Sequence, residues 1–253
     1  MLDAAERAFF LANGYLHVRR ALASDHLANM QSEFERVWKA EGSPVSRGKL
    51  LKHRAFIDLI EHPAIIERQR ALFGSQTQLL QYDLLRQEPG STFPNRFWHR
   101  DFVMAGDRPL AVNAILYFDD MTPDRGPTYV VPGTHVGTDL PPPDSLRESL
   151  RGEIPVLAAA GDVVFINGAI WHSGSCNRSQ GLRRAAYLYY GYWWLKRYNE
   201  HEPLPTEVLI NAGRERLELL GVSMPASDLH MYGQPRLSDP IVRREAGSAT
   251  HKT

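Results

Sequence analysis

The sequence predicts a mainly β fold with flanking helices, a jelly roll behind a helical N-terminal part. Two observations carry that reading. Up to about residue 72, apolar side chains recur every three or four positions, the period of helices with one buried face. From Gln78 to Tyr192 the pattern changes to short apolar or alternating runs separated by turn residues. Six to eight strands at that spacing after a helical start suggest a jelly roll with helices packed outside. A chain of 253 residues is expected to form one domain with a large core. Its parts would be a mainly helical segment over 1–75, a jelly-roll core over 78–195, a helix with loops over 196–240 and a tail over 241–253.

Asp3 to Asn13 reads as a helix, with Asp3 as its cap, Glu6 three residues on and Asn13-Gly14 as its stop. Tyr15 to Arg20 is a short strand. Ser24 to Trp38 is a second helix, capped by Ser24, whose stripe of Leu27, Met30, Phe34 and Trp38 is a core face. Glu41 to Arg54 breaks the pattern with Gly42, Pro44 and Gly48 and carries four basic residues. It reads as a solvated loop or, more sharply, as a mobile lid that orders over substrate. A third helix covers about 55 to 72, interrupted at His62-Pro63 and ended by Gly74. The strands are then Gln78 to Gln87, Ala111 to Phe118, Thr128 to Val131, Gly152 to Leu157, Asp162 to Asn167 and Arg183 to Tyr192. Glu207 to Leu220 is the best helical segment near the end.

Composition excludes several function classes. Hydrophobic content of 43% and charged content of 23% are those of a soluble globular protein. Basic and acidic residues balance at 29 each, so no global field draws the chain to nucleic acid or membrane. A single cysteine rules out an intramolecular disulfide and fits a reducing compartment. No basic, then apolar, stretch of a secretory signal opens the sequence, and no run reaches the length of a membrane span. The expected location is the cytoplasm.

The chemistry concentrates in Trp98-His99-Arg100-Asp101 and Trp171-His172. In an extended segment, side chains two apart share a face, so His99 and Asp101 can converge on one point. A third ligand would complete the two-histidine, one-carboxylate face of non-haem Fe(II) oxygenases. Eleven residues after His172, Arg183 opens an apolar strand. An arginine left unpaired in a core would cost roughly 3–5 kcal/mol, so its presence implies a buried anion. A carboxylate gripped by both prongs of the guanidinium is the natural candidate. A metal triad with an arginine-held dicarboxylate is the equipment of a 2-oxoglutarate-dependent oxygenase.

Further motifs stand around these: Glu88-Pro89-Gly90, Leu116-Tyr117-Phe118-Asp119-Asp120, Gly126-Pro127, Pro132-Gly133-Thr134-His135, Ala160-Gly161-Asp162-Val163-Val164-Phe165, and Asn177 with Ser179 before Arg183. In this order they resemble the phytanoyl-CoA dioxygenase-like family over about residues 5 to 195. The resemblance implies a double-stranded β-helix of the cupin-like kind with the metal in its open mouth. Its implied cofactors are Fe(II), 2-oxoglutarate and O2, with His99, Asp101 and His172 as ligands and Arg183 on the distal carboxylate. It selects His172 over His135 and Arg183 over Arg184; it also places Tyr82, Leu84 and Arg86 near the cosubstrate's other end. Asp119-Asp120 reads as a solvated turn, and Cys176 as a bystander. Phe97, Arg100, Phe102 and Trp193 are the expected substrate contacts. Related halogenases carry a small residue where Asp101 stands, so hydroxylation is favoured over halogenation. The expected substrate is a small secondary metabolite, rather than a coenzyme A ester, with desaturation, epimerisation or ring formation as alternatives. A zinc hydrolase would accept the same ligands but leaves Arg183 unexplained. A non-catalytic cupin-like binding protein leaves the intact triad unexplained.

Overall fold

A computed structural model of the chain describes residues 2–91, 96–102, 106, 108–197 and 200–224. The first helix, α1 (Ala4–Asn13), begins as its sequence dictates. Asp3 accepts from the Glu6 amide at 2.7 Å, while the Asp3 amide donates to Glu6 Oε2 at 3.2 Å. These reciprocal bonds satisfy two of the amides that every helix start leaves open. Gly14 then turns the chain at φ +78° into β1 (Tyr15–Val18). A second helix, α2 (Ser24–Glu41), is capped by Ala23 without any side-chain bond, so Ser24 lies inside the helix rather than at its cap. It also runs three residues beyond Trp38 and buries Met30, Phe34 and Val37.

The segment after α2 is neither a solvated loop nor shaped as a lid. Val45–Ser46 forms β2 and Arg47–Leu50 forms α3. Val45, Leu50 and Leu51 are buried, and Lys49 Nζ donates to the carbonyls of Glu41, Gly42 and Pro44. Each buried aliphatic contributes roughly 1.5–3 kcal/mol, which holds the segment on the sheet edge. Three apolar residues without helical spacing are too few to register as a stripe. The third helical region divides at Pro63, as its proline requires, into α4 (Arg54–Leu59) and α5 (Pro63–Phe73).

The remaining strands are β3 (Thr77–Gln87), β4 (Ala111–Tyr117), β5 (Thr128–Val131), β6 (Ile154–Val156), β7 (Val163–Asn167), β8 (Trp171–Ser173) and β9 (Arg183–Tyr192). They build a six-stranded antiparallel sheet, β1-β7-β4-β9-β3-β2, and a three-stranded sheet, β6-β5-β8. The large sheet is buried on both faces. Val112, Ala114, Leu116, Ala186, Leu188 and Tyr190 pack toward α2, α4 and α5, whereas Ile115, Tyr117, Val164, Ile166 and Ala185 pack toward Val130, Val156 and Ile170 on the small sheet's side. Successive strand residues thus serve two cores. Two packed antiparallel sheets with helices outside are the expected jelly roll.

Glu207 to Leu220 forms two short helices, α6 (Thr206–Leu209) and α7 (Arg214–Leu219), parted where Asn211 takes φ +56°. The expected tail over 241–253 lies outside the described residues. Among those described, no helix is long and apolar enough to cross a membrane.

Candidate active site

His99 and His172 face each other across an isolated antiparallel bridge. The His99 amide donates to the His172 carbonyl at 3.0 Å and the return bond measures 2.9 Å. Their rings lie 4.2 Å apart. Asp101 is set by its own amide, which donates to the Gly168 carbonyl at 2.7 Å. Its Oδ1 then stands 3.7 Å from Nε2 of both histidines. One ligand atom from each of the three residues falls within 4.8 Å of the others, a separation suited to a single ion.

The tautomers agree with that use. His99 Nδ1 donates to the Phe97 carbonyl at 2.9 Å, and His172 Nδ1 to the Ile170 carbonyl at 3.0 Å. A carbonyl only accepts, so the proton sits on Nδ1 and each Nε2 keeps its lone pair for the shared point. Burial, followed by the neighbouring His172, pushes His99 below the usual imidazole range and favours the neutral, ligating form. Gly168 makes room for the group. A Cβ there would collide with the Tyr189 hydroxyl and come within 3.3 Å of Asp101 Oδ2.

The three residues open onto a cavity of about 390 Å³ between the two sheets. Its walls include Gln81, Asp83 and Leu85 of β3, Asn113 and Ile115 of β4, Tyr187 and Tyr189 of β9, and Thr128 of β5. Arg183 stands behind this wall and is 1% exposed. Its Nε donates to the Gly126 carbonyl at 2.7 Å, and one terminal nitrogen reaches the Tyr187 hydroxyl at 3.4 Å. Among the described residues no carboxylate pairs with it. Gly126 has φ +71°, and a Cβ there would press on Arg183 Cδ at 3.1 Å, so the glycine admits the arginine's stem. Beside Arg183, Tyr117 bonds Thr128 Oγ1 at 2.8 Å, and burial raises its phenol to about 12. The turn preceding Arg183 is fixed by Asn177, which donates to the Gly181 carbonyl and accepts from the Ser179 hydroxyl.

Arg184 points the opposite way, to Asp119 and to Glu35 on α2. Asp119 is therefore a largely buried anchor rather than a solvated turn residue. His135 bonds the Leu11 carbonyl at 2.9 Å and packs on Gly14 in a structural position.

Four expected contacts lie elsewhere. Tyr82 is buried in the helix-side core with its hydroxyl donating to the Phe56 carbonyl, and Arg86 pairs with Glu35 and Glu88. The reason is register: a bulge at Leu80 in the β3–β9 pairing leaves Gln81, Asp83 and Leu85 on the cavity face, and of the three expected residues only Leu84 borders the cavity. Arg100 donates to the Thr134 and Gly137 carbonyls and clamps their turn, because its neighbours His99 and Asp101 take the other face. Trp193 borders a separate recess with Gln78 and Arg197. Phe97 sits half-exposed, its ring 5.9 Å from that of His99, and Phe102 stacks on Tyr189 at 6.1 Å. Gln81, Asn113, Thr128, Tyr187 and Tyr189 were missed as wall residues. Alternation along β4 and β9 signals three of them, whereas the bulge hides Gln81.

Comparison with known proteins agrees with this architecture. The family model described as phytanoyl-CoA dioxygenase (PhyH) matches residues 10–185, which takes in all three converging residues and Arg183. A dioxygenase of Aspergillus fumigatus, af480, is 24% identical over 243 residues, covering 86% of this chain and 76% of its own. HygX from Streptomyces hygroscopicus, solved with nickel and 2-oxoglutarate bound, superposes with a TM-score of 0.68 at 18% identity, covering 79% of this chain and 90% of that one. The carbocyclase SnoK from nogalamycin biosynthesis gives a TM-score of 0.63 at 23% identity, covering 76% and 84%. With the match running through most of the chain, the protein belongs to the phytanoyl-CoA dioxygenase family and is an Fe(II)- and 2-oxoglutarate-dependent oxygenase.

Proposed function

We propose that His99, Asp101 and His172 hold the iron, and that the enzyme hydroxylates an unactivated C–H bond of a small metabolite. The observation that carries the proposal is the shared aim of two imidazole Nε2 atoms and one carboxylate at the cavity wall. When bound, iron and 2-oxoglutarate supply the oxidising chemistry, in which O2 is consumed, succinate and CO2 leave, and the substrate gains one oxygen atom. Everything else falls to the chain. The triad would hold the ion from the cavity wall, a ligand set that suits a metal needing open positions for cosubstrate and O2. Arg183 offers its charge to the cosubstrate's distal carboxylate, with the Tyr187 and Thr128 hydroxyls beside it. Ile115, Ile166 and Leu85 supply the apolar part of the wall, which limits water near the reacting carbon.

The likeness to a carbocyclase supports a second reading, a ring-forming oxidation with the same cofactors. Both are tested by screening small metabolites for substrate-stimulated succinate formation, followed by product mass. A gain of one oxygen supports hydroxylation; a loss of two hydrogens supports ring closure or desaturation. Formation of succinate by none of the screened compounds, with iron and 2-oxoglutarate bound, would count against a small-metabolite substrate.

A further inference from the structure

One wall residue lies outside the group of three that converges on the metal position. Asp83 lies on β3 opposite Tyr187 of β9, with its side chain lining the same cavity as His99, Asp101 and His172. Its carboxylate accepts from Gln81 Nε2, and among the described residues no lysine, arginine or histidine pairs with it. Burial holds its carboxyl above the usual range, the Gln81 bond opposes that shift, and the like charge of Glu202 adds to it. The balance of the chamber sharpens the point. With iron and 2-oxoglutarate bound, the ion and Arg183 would offset Asp101 and the dicarboxylate, so Asp83 in its ionised form would carry a charge that no described cation pairs with. A desolvated carboxylate in that state gains most from a cation arriving with hydrogen-bond donors.

We propose that Asp83 selects the substrate, and that the substrate class is a small molecule carrying a protonated amine that donates to this carboxylate. The proposal rests on the oxygenase reading of the cavity and adds the substrate's charge to it. Gln81 Nε2 bonds Oδ2 from one side, which leaves Oδ1 to accept from the amine. Ile115 and Leu85 border the same space and suit an apolar body attached to the amine.

The test uses matched probes in place of the unknown substrate: cyclohexylmethylamine with cyclohexylmethanol, and benzylamine with benzyl alcohol. Ligand-detected NMR measures their binding to the full chain, metal-free and again with Mn(II) and 2-oxoglutarate. The amine of each pair should bind about 10-fold or more tightly than its alcohol, and Asp83→Asn should abolish that preference. Asp83→Glu should retain much of it, which keeps the test open if Asp83→Asn does not fold. Equal binding of amine and alcohol to the parent chain would overturn the proposal. So would an amine preference that survives Asp83→Asn, or a preference for the alcohol, which would make Asp83 a neutral donor. Retained Mn(II) and 2-oxoglutarate binding in such a case confines the failure to Asp83; loss of that binding in the parent chain would instead strike the oxygenase assignment.

Discussion

Arg183 and Arg184 are consecutive residues of one strand and work on opposite faces of the large sheet. Arg183 is enclosed on the cavity side against Gly126 and Tyr187. Arg184 ties that strand to Asp119 and, through Glu35, to α2. Substitutions at the two should therefore fail in different ways. Truncating one partner of a desolvated charge pair costs roughly 2–5 kcal/mol. Arg183→Ala should accordingly weaken 2-oxoglutarate binding about 30- to several-thousand-fold, measured by anaerobic titration. Arg183→Lys keeps the charge without the fork and should fall between.

Arg184→Ala should leave cosubstrate affinity near the parent value and lower stability instead. It strands the largely buried Asp119, a loss of about 1–3 kcal/mol, readable as a reduced urea midpoint at unchanged m. Loss of cosubstrate binding in Arg184→Ala, with Arg183→Ala normal, would reverse the roles given to the two faces.

The approach of Gly168 to Asp101 and Tyr189 can be probed by adding one methyl group. Gly168→Ala should cost about 1–3 kcal/mol through overpacking against the Tyr189 hydroxyl. Tyr189→Phe removes that hydroxyl, so the double variant should recover part of the loss. Additive effects in this cycle would show that the two groups do not compete for the space.

The segment from Glu41 to Arg54 should behave as part of the core. Leu50→Ala is expected to destabilise the fold by about 2–5 kcal/mol. Amides at Leu50 and Leu51 should be protected from exchange without any substrate. Rapid exchange there in the free protein would restore the lid.

Much of this was legible in the residues, for identifiable reasons. The Asp3 cap, the break at Pro63 and the exact span of Arg183 to Tyr192 follow from local chemistry that tertiary packing does not override. His99 and Asp101 were readable because alternation fixes a shared face. Most of the cavity wall on β3 was not, since one bulged residue at Leu80 shifts the alternation after it, and only Leu84 of the expected residues borders the cavity. Arg100 and Trp193 were misjudged because nearness in sequence to a ligand says nothing about direction. The packing of Val45 and Leu50 depends on partners distant in the chain, which no local pattern reveals.

The central claim is that His99, Asp101 and His172 form one iron site facing a cosubstrate held by Arg183. Anaerobic titration tests it most directly: Fe(II) first, then 2-oxoglutarate, followed by visible absorption, on the parent chain and on His99→Ala, Asp101→Ala and His172→Ala. The parent should bind one Fe(II) and develop a charge-transfer band only when 2-oxoglutarate is added, while each variant stays folded and loses the band. A parent chain that binds Fe(II) but gives no response to 2-oxoglutarate, or an Asp101→Ala variant that responds as the parent does, would contradict the account.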